Sequence, residues 1–263
     1  MMLISRTRVS RLPLSVGQRH LGKRWQCQSV YTYGDLDTSQ RNKIDAYLDI
    51  LLDWNTRMNL TAIQDRGQAI ERHINDSLAI LPALDACVEH TKDVRLIDIG
   101  SGAGLPGLVI ATARPLWHVC LLDSLKKRCS FTTAAVDAMG LDNVNVLWSR
   151  AEDAGRDEHH RETYDIATAR AVAEVRVLAE LCLPCVRVGG HWVAPKGPRP
   201  EEEILQGHHA IQTLGGNVDT MCIETYSAPT SGSTAFTVLT VEKHAPTPTT
   251  YPRKPGSIKK KPL

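Results

Sequence analysis

The run Val94 to Gly107, VRLIDIGSGAGLPG, constrains this chain more than any other stretch. It joins a short apolar segment to a glycine-rich turn and then to a helix start, the arrangement of a nucleotide cradle. Val94, Leu96 and Ile97 read as a buried strand that ends in Asp98, and the glycines let the backbone approach a ligand. Pro106 suits a first helical turn, where no amide donor is needed.

Gly102, Gly104 and Gly107 satisfy GxGxxG, so a dinucleotide oxidoreductase stands beside an enzyme that uses S-adenosylmethionine. Two details favour the methyl donor. Asp98 sits just before the turn, and the glycines start at Gly100, giving DxGxGxG. A dinucleotide needs a helix amino terminus aimed at a pyrophosphate. S-adenosylmethionine has no phosphate; its zwitterionic methionine and sulfonium use backbone groups of a wide turn, with carboxylates near the amino group and the ribose. Asp98 meets the first need. Asp123 ends a second apolar strand, HVCLLD, where either cofactor presents ribose hydroxyls, and it leaves both readings open. A plain strand-to-helix connection seldom needs so many glycines and a preceding acid.

The surrounding pattern is α/β. Strands are expected at Val94 to Ile99, His118 to Leu122, Val144 to Trp148, Tyr164 to Ala169, Gly190 to Ala194, Val218 to Tyr226 and Ala235 to Val241. The last two lack a long helix between them, which predicts an antiparallel hairpin at one sheet edge. A seven-stranded, mostly parallel Rossmann-like sheet with that ending is typical of class I methyltransferases. Ahead of it, Ile44, Leu48, Leu51 and Leu52 recur at helical spacing, predicting a helix from Thr38 to about Trp54 with Thr38 or Ser39 as cap. A second helix is expected over Gln68 to Leu81. These form an N-terminal helical extension, a cap over residues 38–85. His73 and Asp76 are three apart on the second helix, so they either face a pocket together or satisfy one another.

With 263 residues and 42% hydrophobic content the chain can bury one α/β core, and no apolar run approaches the roughly 20 residues of a membrane helix, so a soluble protein without membrane contact is expected. Seven scattered cysteines predict reduced thiols; Cys182 and Cys185 form CLPC without a second pair or a suitably spaced histidine, which favours buried structural thiols over a metal site.

Charge is uneven along the chain. Residues 1–34 carry six Lys or Arg (Arg6, Arg8, Arg11, Arg19, Lys23, Arg24) and no acid, and residues 251–263 carry five, leaving 20 basic against 29 acidic residues between them. The acidic body would repel a polyanion unless local basic groups supply the attraction. The first segment reads as an organelle transit peptide, with chloroplast stroma favoured over mitochondrial matrix and a cytoplasmic location if the arm is not one. Pro246, Pro248, Pro252 and Pro255 predict an irregular basic tail over 246–263, after a domain spanning 35–245.

Seven motifs occur in order: WNxxxNLT at Trp54 to Thr61, RHxxDS at Arg72 to Ser77, DIGSGAGLPG at Asp98 to Gly107, LLDSLKKR at Leu121 to Arg128, SRAE at Ser149 to Glu152, ARA at Ala169 to Ala171 and KG at Lys196 to Gly197. On these the chain resembles the glucose-inhibited division protein B family, methyltransferases of guanine N7 in bacterial-type 16S small-subunit ribosomal RNA. The resemblance extends from about Thr38 to YPRKPG at Tyr251 to Gly256. It implies S-adenosylmethionine as cofactor, ribosomal RNA or a ribosomal particle as partner, no metal, and a monomer. It also implies a cofactor site. Asp98, Gly100, Gly102, Gly104 and Leu105 would serve the methionine side, Asp123 the ribose, and Ala151 and Glu152 the adenine, with Arg170 where cofactor and substrate meet.

Guanine N7 carries a lone pair and no proton, so displacement on the sulfonium methyl needs alignment rather than a general base. His73, Asp76, Arg170 and Lys196 are expected to position the target, with Asn59 bracing the pocket floor and Arg72 among the RNA-binding residues. Arg253, Lys254, Lys259, Lys260 and Lys261 are expected to clamp the RNA backbone. Two positions depart from the family pattern: Ala169 replaces a common serine, and Thr234 an arginine that often enters the last strand.

Overall fold

The computed structural model describes residues 31–89, 92–170, 173–197, 199–226 and 236–263. The basic arm up to residue 30 with Cys27, and also Ala171, Thr234 and the side chain of Lys259, lie outside the described residues.

The chain enters through α1 (Thr38–Asn55). Its cap is Asp37, one residue before the two expected: the Asp37 carboxylate accepts the Gln40 amide at 2.8 Å, and the Gln40 side chain accepts the Asp37 amide at 3.0 Å. A reciprocal capping box with an acid outcompetes a hydroxyl inside the first turn. The expected second helix is real but broken. It runs as α2 (Arg66–Ala69), a π-helical stretch Ile70–Asn75, α3 (Asp76–Leu78) and α4 (Leu81–Asp85).

The α/β body follows with β1 (Arg95–Ile99), α5 (Gly107–Ala113), β2 (His118–Asp123), α6 (Lys126–Met139), β3 (Val144–Trp148), α7 (Ala151–Ala154), β4 (Tyr164–Thr168), α8 (Val175–Cys182), β5 (Val186–Lys196), α9 (Glu201–Thr213), β6 (Cys222–Tyr226), β7 (Phe236–Glu242) and α10 (Ser257–Lys260). The seven strands lie in the order β3-β2-β1-β4-β5-β7-β6. The first five strands are parallel, and β7 is antiparallel to both β5 and β6, the expected edge hairpin. Because β1 lies between β2 and β4, the chain reverses its direction of winding there, and the crevice beyond the carboxyl ends of β1 and β4 is where such sheets bind ligands.

Every residue of α5 is buried. A helix apolar all round must be covered on every side; Ile44, Tyr47, Leu48 and Leu51 of α1 and Phe131 of α6 share one apolar cluster with Leu108, Val109 and Ile110 of α5. The helical cap is thus part of the main core.

Both ends of the domain reach further than composition predicts. Residues 31–34, counted with the arm, belong to the fold: the Tyr33 amide donates to Asn75 at 2.8 Å, its hydroxyl to Asp45 at 2.8 Å, and the Arg114 guanidinium lies 5.4 Å from the Tyr31 ring centre. The proline-rich tail is also packed down. Arg156 donates to the Pro252 carbonyl at 2.7 Å and Arg161 to those of Thr247 at 2.6 Å and Tyr251 at 2.8 Å, while Pro252 and Ile258 are buried. Arginine forks on the body satisfy carbonyls that the prolines keep out of regular structure.

Candidate cofactor and substrate site

The turn after β1 needs its glycines for two separate reasons. Gly100, Gly102 and Gly104 have φ of 74°, 60° and 81°, a left-handed region costly for other residues. Gly107 instead meets a close approach: an added Cβ would stand 2.2 Å from Leu121 Cδ2 and 2.9 Å from Asp98 Oδ2. At Gly102 an added Cβ would meet only the Gly100 carbonyl oxygen, at 3.9 Å, so the bend itself is open. Gly100 and Ser101 amides donate to the Leu122 carbonyl at 2.8 and 3.0 Å, tying the turn to β2.

Asp98 is fully buried beneath this turn. Its Oδ2 accepts the Gly107 amide at 2.9 Å, and its Oδ1 has no hydrogen-bond partner among the described residues. Burial pushes its carboxyl up to about 7, against the opposing pull of the Gly107 amide and of Arg170. Asp123, at the end of β2, accepts the Gly102 amide at 3.0 Å and the Leu125 amide at 2.8 Å, with Arg128 at 3.5 Å. The Ser149 amide donates to the Asp123 carbonyl at 3.2 Å, so the short connection from β3 to α7, whose first residues are buried Ala151 and half-buried Glu152, sits next to it.

The facing wall comes from β4 and the broken helix. Arg170 follows β4, and its one hydrogen bond among the described residues is a long one, 3.4 Å to Ser77 Oγ. Burial lowers the pKa of this guanidinium from the usual arginine range, and the charges of Asp98, Tyr47 and Asp76 act on it in the opposite direction. Asp76 is half-buried, its carboxylate forms no hydrogen bond or ion pair among the described residues, and burial raises its carboxyl with Arg72 and Arg170 pulling it down. His73 does not pair with Asp76. Its Nε2 lies 2.7 Å from Thr61 Oγ1, and burial, with Arg170 and Arg72 close by, lowers its pKa to about 4, so the ring is neutral at pH 7. The π-helical stretch alters the spacing on which a His73–Asp76 pair would depend, leaving the reading in which both face a pocket.

Several expected site residues are exposed or already engaged by the protein. Asn59 is exposed; Asn55 does the bracing, accepting the Leu60 and Thr61 amides at 2.9 and 3.0 Å and donating to the Thr61 carbonyl at 2.9 Å. Lys196 is bound to Glu203 at 2.6 Å and to the Ala173 carbonyl at 3.2 Å, and the same Glu203 accepts the Val175 amide at the start of α8. Arg253 grips fully buried Glu180, with Nε–Oε1 2.9 Å and Nη2–Oε2 2.6 Å, so its charge holds the tail in place. Arg72, Lys254, Lys260 and Lys261 are exposed, as RNA contacts require. Tyr47 was not foreseen: it is fully buried and donates to the Ala103 carbonyl within the glycine turn at 2.8 Å. Its signal was a hydroxyl inside the apolar stripe of α1, which needs a buried partner. Cys182 and Cys185 are buried with raised pKa values, the state of structural thiols.

The donor set fits S-adenosylmethionine better than a dinucleotide. A buried acid with an unsatisfied oxygen suits an ammonium group, and because Asp98 already holds the first amide of α5, a pyrophosphate there would meet a carboxylate. Fold and site define a Rossmann-like methyltransferase. Comparison with known proteins agrees. Residues 40–227 match the family described as rRNA small subunit methyltransferase G (GidB). The chain is 43% identical over 228 residues to the ribosomal RNA small subunit methyltransferase G of Alkaliphilus metalliredigens, covering 87% of this chain and 92% of that protein. It is 45% identical over 222 residues to the protein of that name from Symbiobacterium thermophilum, covering 82% and 87%. Among solved structures, the METTL16 MTase domain superposes with a TM-score of 0.51 at 14% identity over 65% of this chain and 69% of that one, a likeness of fold. The chain belongs to the rRNA small subunit methyltransferase G family.

Proposed function

We propose that the protein transfers a methyl group from S-adenosylmethionine to N7 of one guanine in 16S-type small-subunit ribosomal RNA, acting as a monomer in an organelle. The observation that carries the reading is half-buried Arg170, which bonds Ser77 on the helical cap at 3.4 Å and feels the charges of both Asp98 under the cofactor turn and Asp76 on the cap. It stands at the junction of a donor half and an acceptor half.

Asp98 would hold the methionine ammonium, Asp123 the ribose hydroxyls, and the Ala151 amide and Glu152 carboxylate the adenine edge. The bound cofactor supplies an electrophilic methyl on a sulfonium. The chain supplies alignment and exclusion of water, because the nucleophile carries no proton. Arg170 and the exposed Arg72 would orient the base and a phosphate, with Lys254, Lys260 and Lys261 adding salt-dependent backbone attraction. Neutral His73, fixed by Thr61, shapes this wall without contributing charge. Support for the organelle comes from residues 1–34, with six basic residues and no acid, and the chloroplast stroma is the compartment proposed.

Titration with S-adenosylhomocysteine and with NAD tests the cofactor: binding of the first alone is expected, and binding of NAD alone would refute the reading. A fluorescent fusion of the full chain tests location, with a uniform cytoplasmic signal as the contrary result.

A further inference from the structure

We propose that Asp76 is the residue that reads the target base. Its carboxylate accepts hydrogen bonds from guanine N1–H and the N2 amine, while Arg170 donates to O6, next to the reacting N7. The proposal rests on the guanine reading above.

A purine methylated at N7 must turn its five-membered ring toward the donor. In guanine O6 lies beside N7, and N1–H and the N2 amine follow around the six-membered ring. A reader therefore needs a donor near the cofactor and an acceptor beyond it. The structure brings such groups together: Arg170 follows β4, its guanidinium bonds Ser77, the residue after Asp76, and both Asp98 under the cofactor turn and Asp76 act on it electrostatically. Arg170 spends one of its donors, on Ser77 at 3.4 Å, and Ser77 directly follows Asp76 in the chain. Neither competing partner takes the Asp76 carboxylate: His73 turns to Thr61, and Arg72 makes no ion pair with it among the described residues. A half-buried carboxylate with no hydrogen-bond partner in the protein is open to a ligand that supplies donors.

The same groups reject adenine, which presents an unprotonated N1 to the carboxylate and an amine where Arg170 needs an acceptor. Sites built to hydrogen-bond a substrate group discriminate strongly against its absence. An uncharged or solvated Asp76 side chain would discriminate far less.

The experiment compares methyl transfer by the full-length protein to small-subunit RNA carrying guanosine or inosine at the target. Inosine keeps N7, O6 and N1–H and lacks the N2 amine. For the unaltered protein kcat/KM should fall about tenfold or more with inosine, the effect of one hydrogen bond to a charged group. In Asp76→Ala and in Asp76→Asn the preference should shrink toward one, while S-adenosylhomocysteine binding, which reports an intact fold, stays within about twofold. An unchanged preference in either folded variant, or no preference in the unaltered protein, would overturn the assignment. Absence of N7-methylguanine from the guanosine control would overturn the proposed function together with it.

Discussion

Tyr47 on the first helix donates its phenolic hydrogen to the carbonyl of Ala103, 56 residues away in the glycine turn, at 2.8 Å with both groups buried. The helical cap thereby fixes the shape of the cofactor turn. Tyr47→Phe leaves that carbonyl unsatisfied, at a cost of about 1–3 kcal/mol. The expected result is a KM for S-adenosylmethionine raised several-fold with kcat nearly unchanged, measured by steady-state kinetics at saturating RNA.

Two glycines in the turn should fail in different ways. At Gly107→Ala the new Cβ collides with Leu121 and the Asp98 carboxylate, so stability and cofactor binding should fall together. At Gly102 there is space and the strain is one of φ alone, so Gly102→Ala should weaken cofactor binding while lowering Tm less than Gly107→Ala. Thermal unfolding with and without S-adenosylhomocysteine separates the two.

Asp98 predicts a pH dependence with a definite sign. Its carboxyl lies near 7 when folded, against 3.8 as the ordinary value, so the folded protein retains a proton that the unfolded chain has released. That contribution to stability is complete below about pH 4 and is lost as pH rises to about 7, at up to about 1.4 kcal/mol per pH unit. A cationic ligand group reverses the preference, because it favours the ionised acid. Affinity for S-adenosylhomocysteine should therefore rise between about pH 6 and pH 8 with proton release. Asp98→Asn should flatten both trends and weaken binding, which calorimetry in buffers of different ionisation heat would detect.

The basic tail divides into two functions. Arg253 neutralises buried Glu180, so Arg253→Ala leaves an unpaired charge in the core and should cost about 3–5 kcal/mol. Deleting residues 253–263 should lower Tm by a similar margin, and cofactor binding with it. By contrast Lys254→Ala and Lys260→Ala change exposed positions. They should leave Tm unchanged and reduce the salt dependence of RNA binding, as a binding titration at several salt concentrations would show.

What the sequence disclosed and what it withheld follow from the range of each interaction. The β1 turn, the order of strands and the edge hairpin depend on local spacing and on apolar runs and are present, although β5 runs longer, over Val186–Lys196, β6 starts later, at Cys222, and Pro106 stands just before α5. The Asp37 cap was one residue off because competition among neighbouring caps is settled by side-chain geometry. The contacts that escaped notice span the fold: Tyr47 with Ala103, Ser77 with Arg170, Glu180 with Arg253. A basic residue in a proline-rich tail carries no local sign that it will meet a buried acid on a distant helix. The π-helical stretch at Ile70–Asn75 is similarly silent, since its residues have ordinary helical spacing, as is the contact of His73 with Thr61.

The central claim is methylation of guanine N7 in small-subunit ribosomal RNA. N7-methylation makes the base labile to reduction, so strand scission after borohydride and aniline maps it directly. Organellar ribosomal RNA from cells with the protein should show one cleavage site that is missing from cells without it and restored by the purified protein with S-adenosylmethionine. An identical cleavage map in both RNAs would contradict the account.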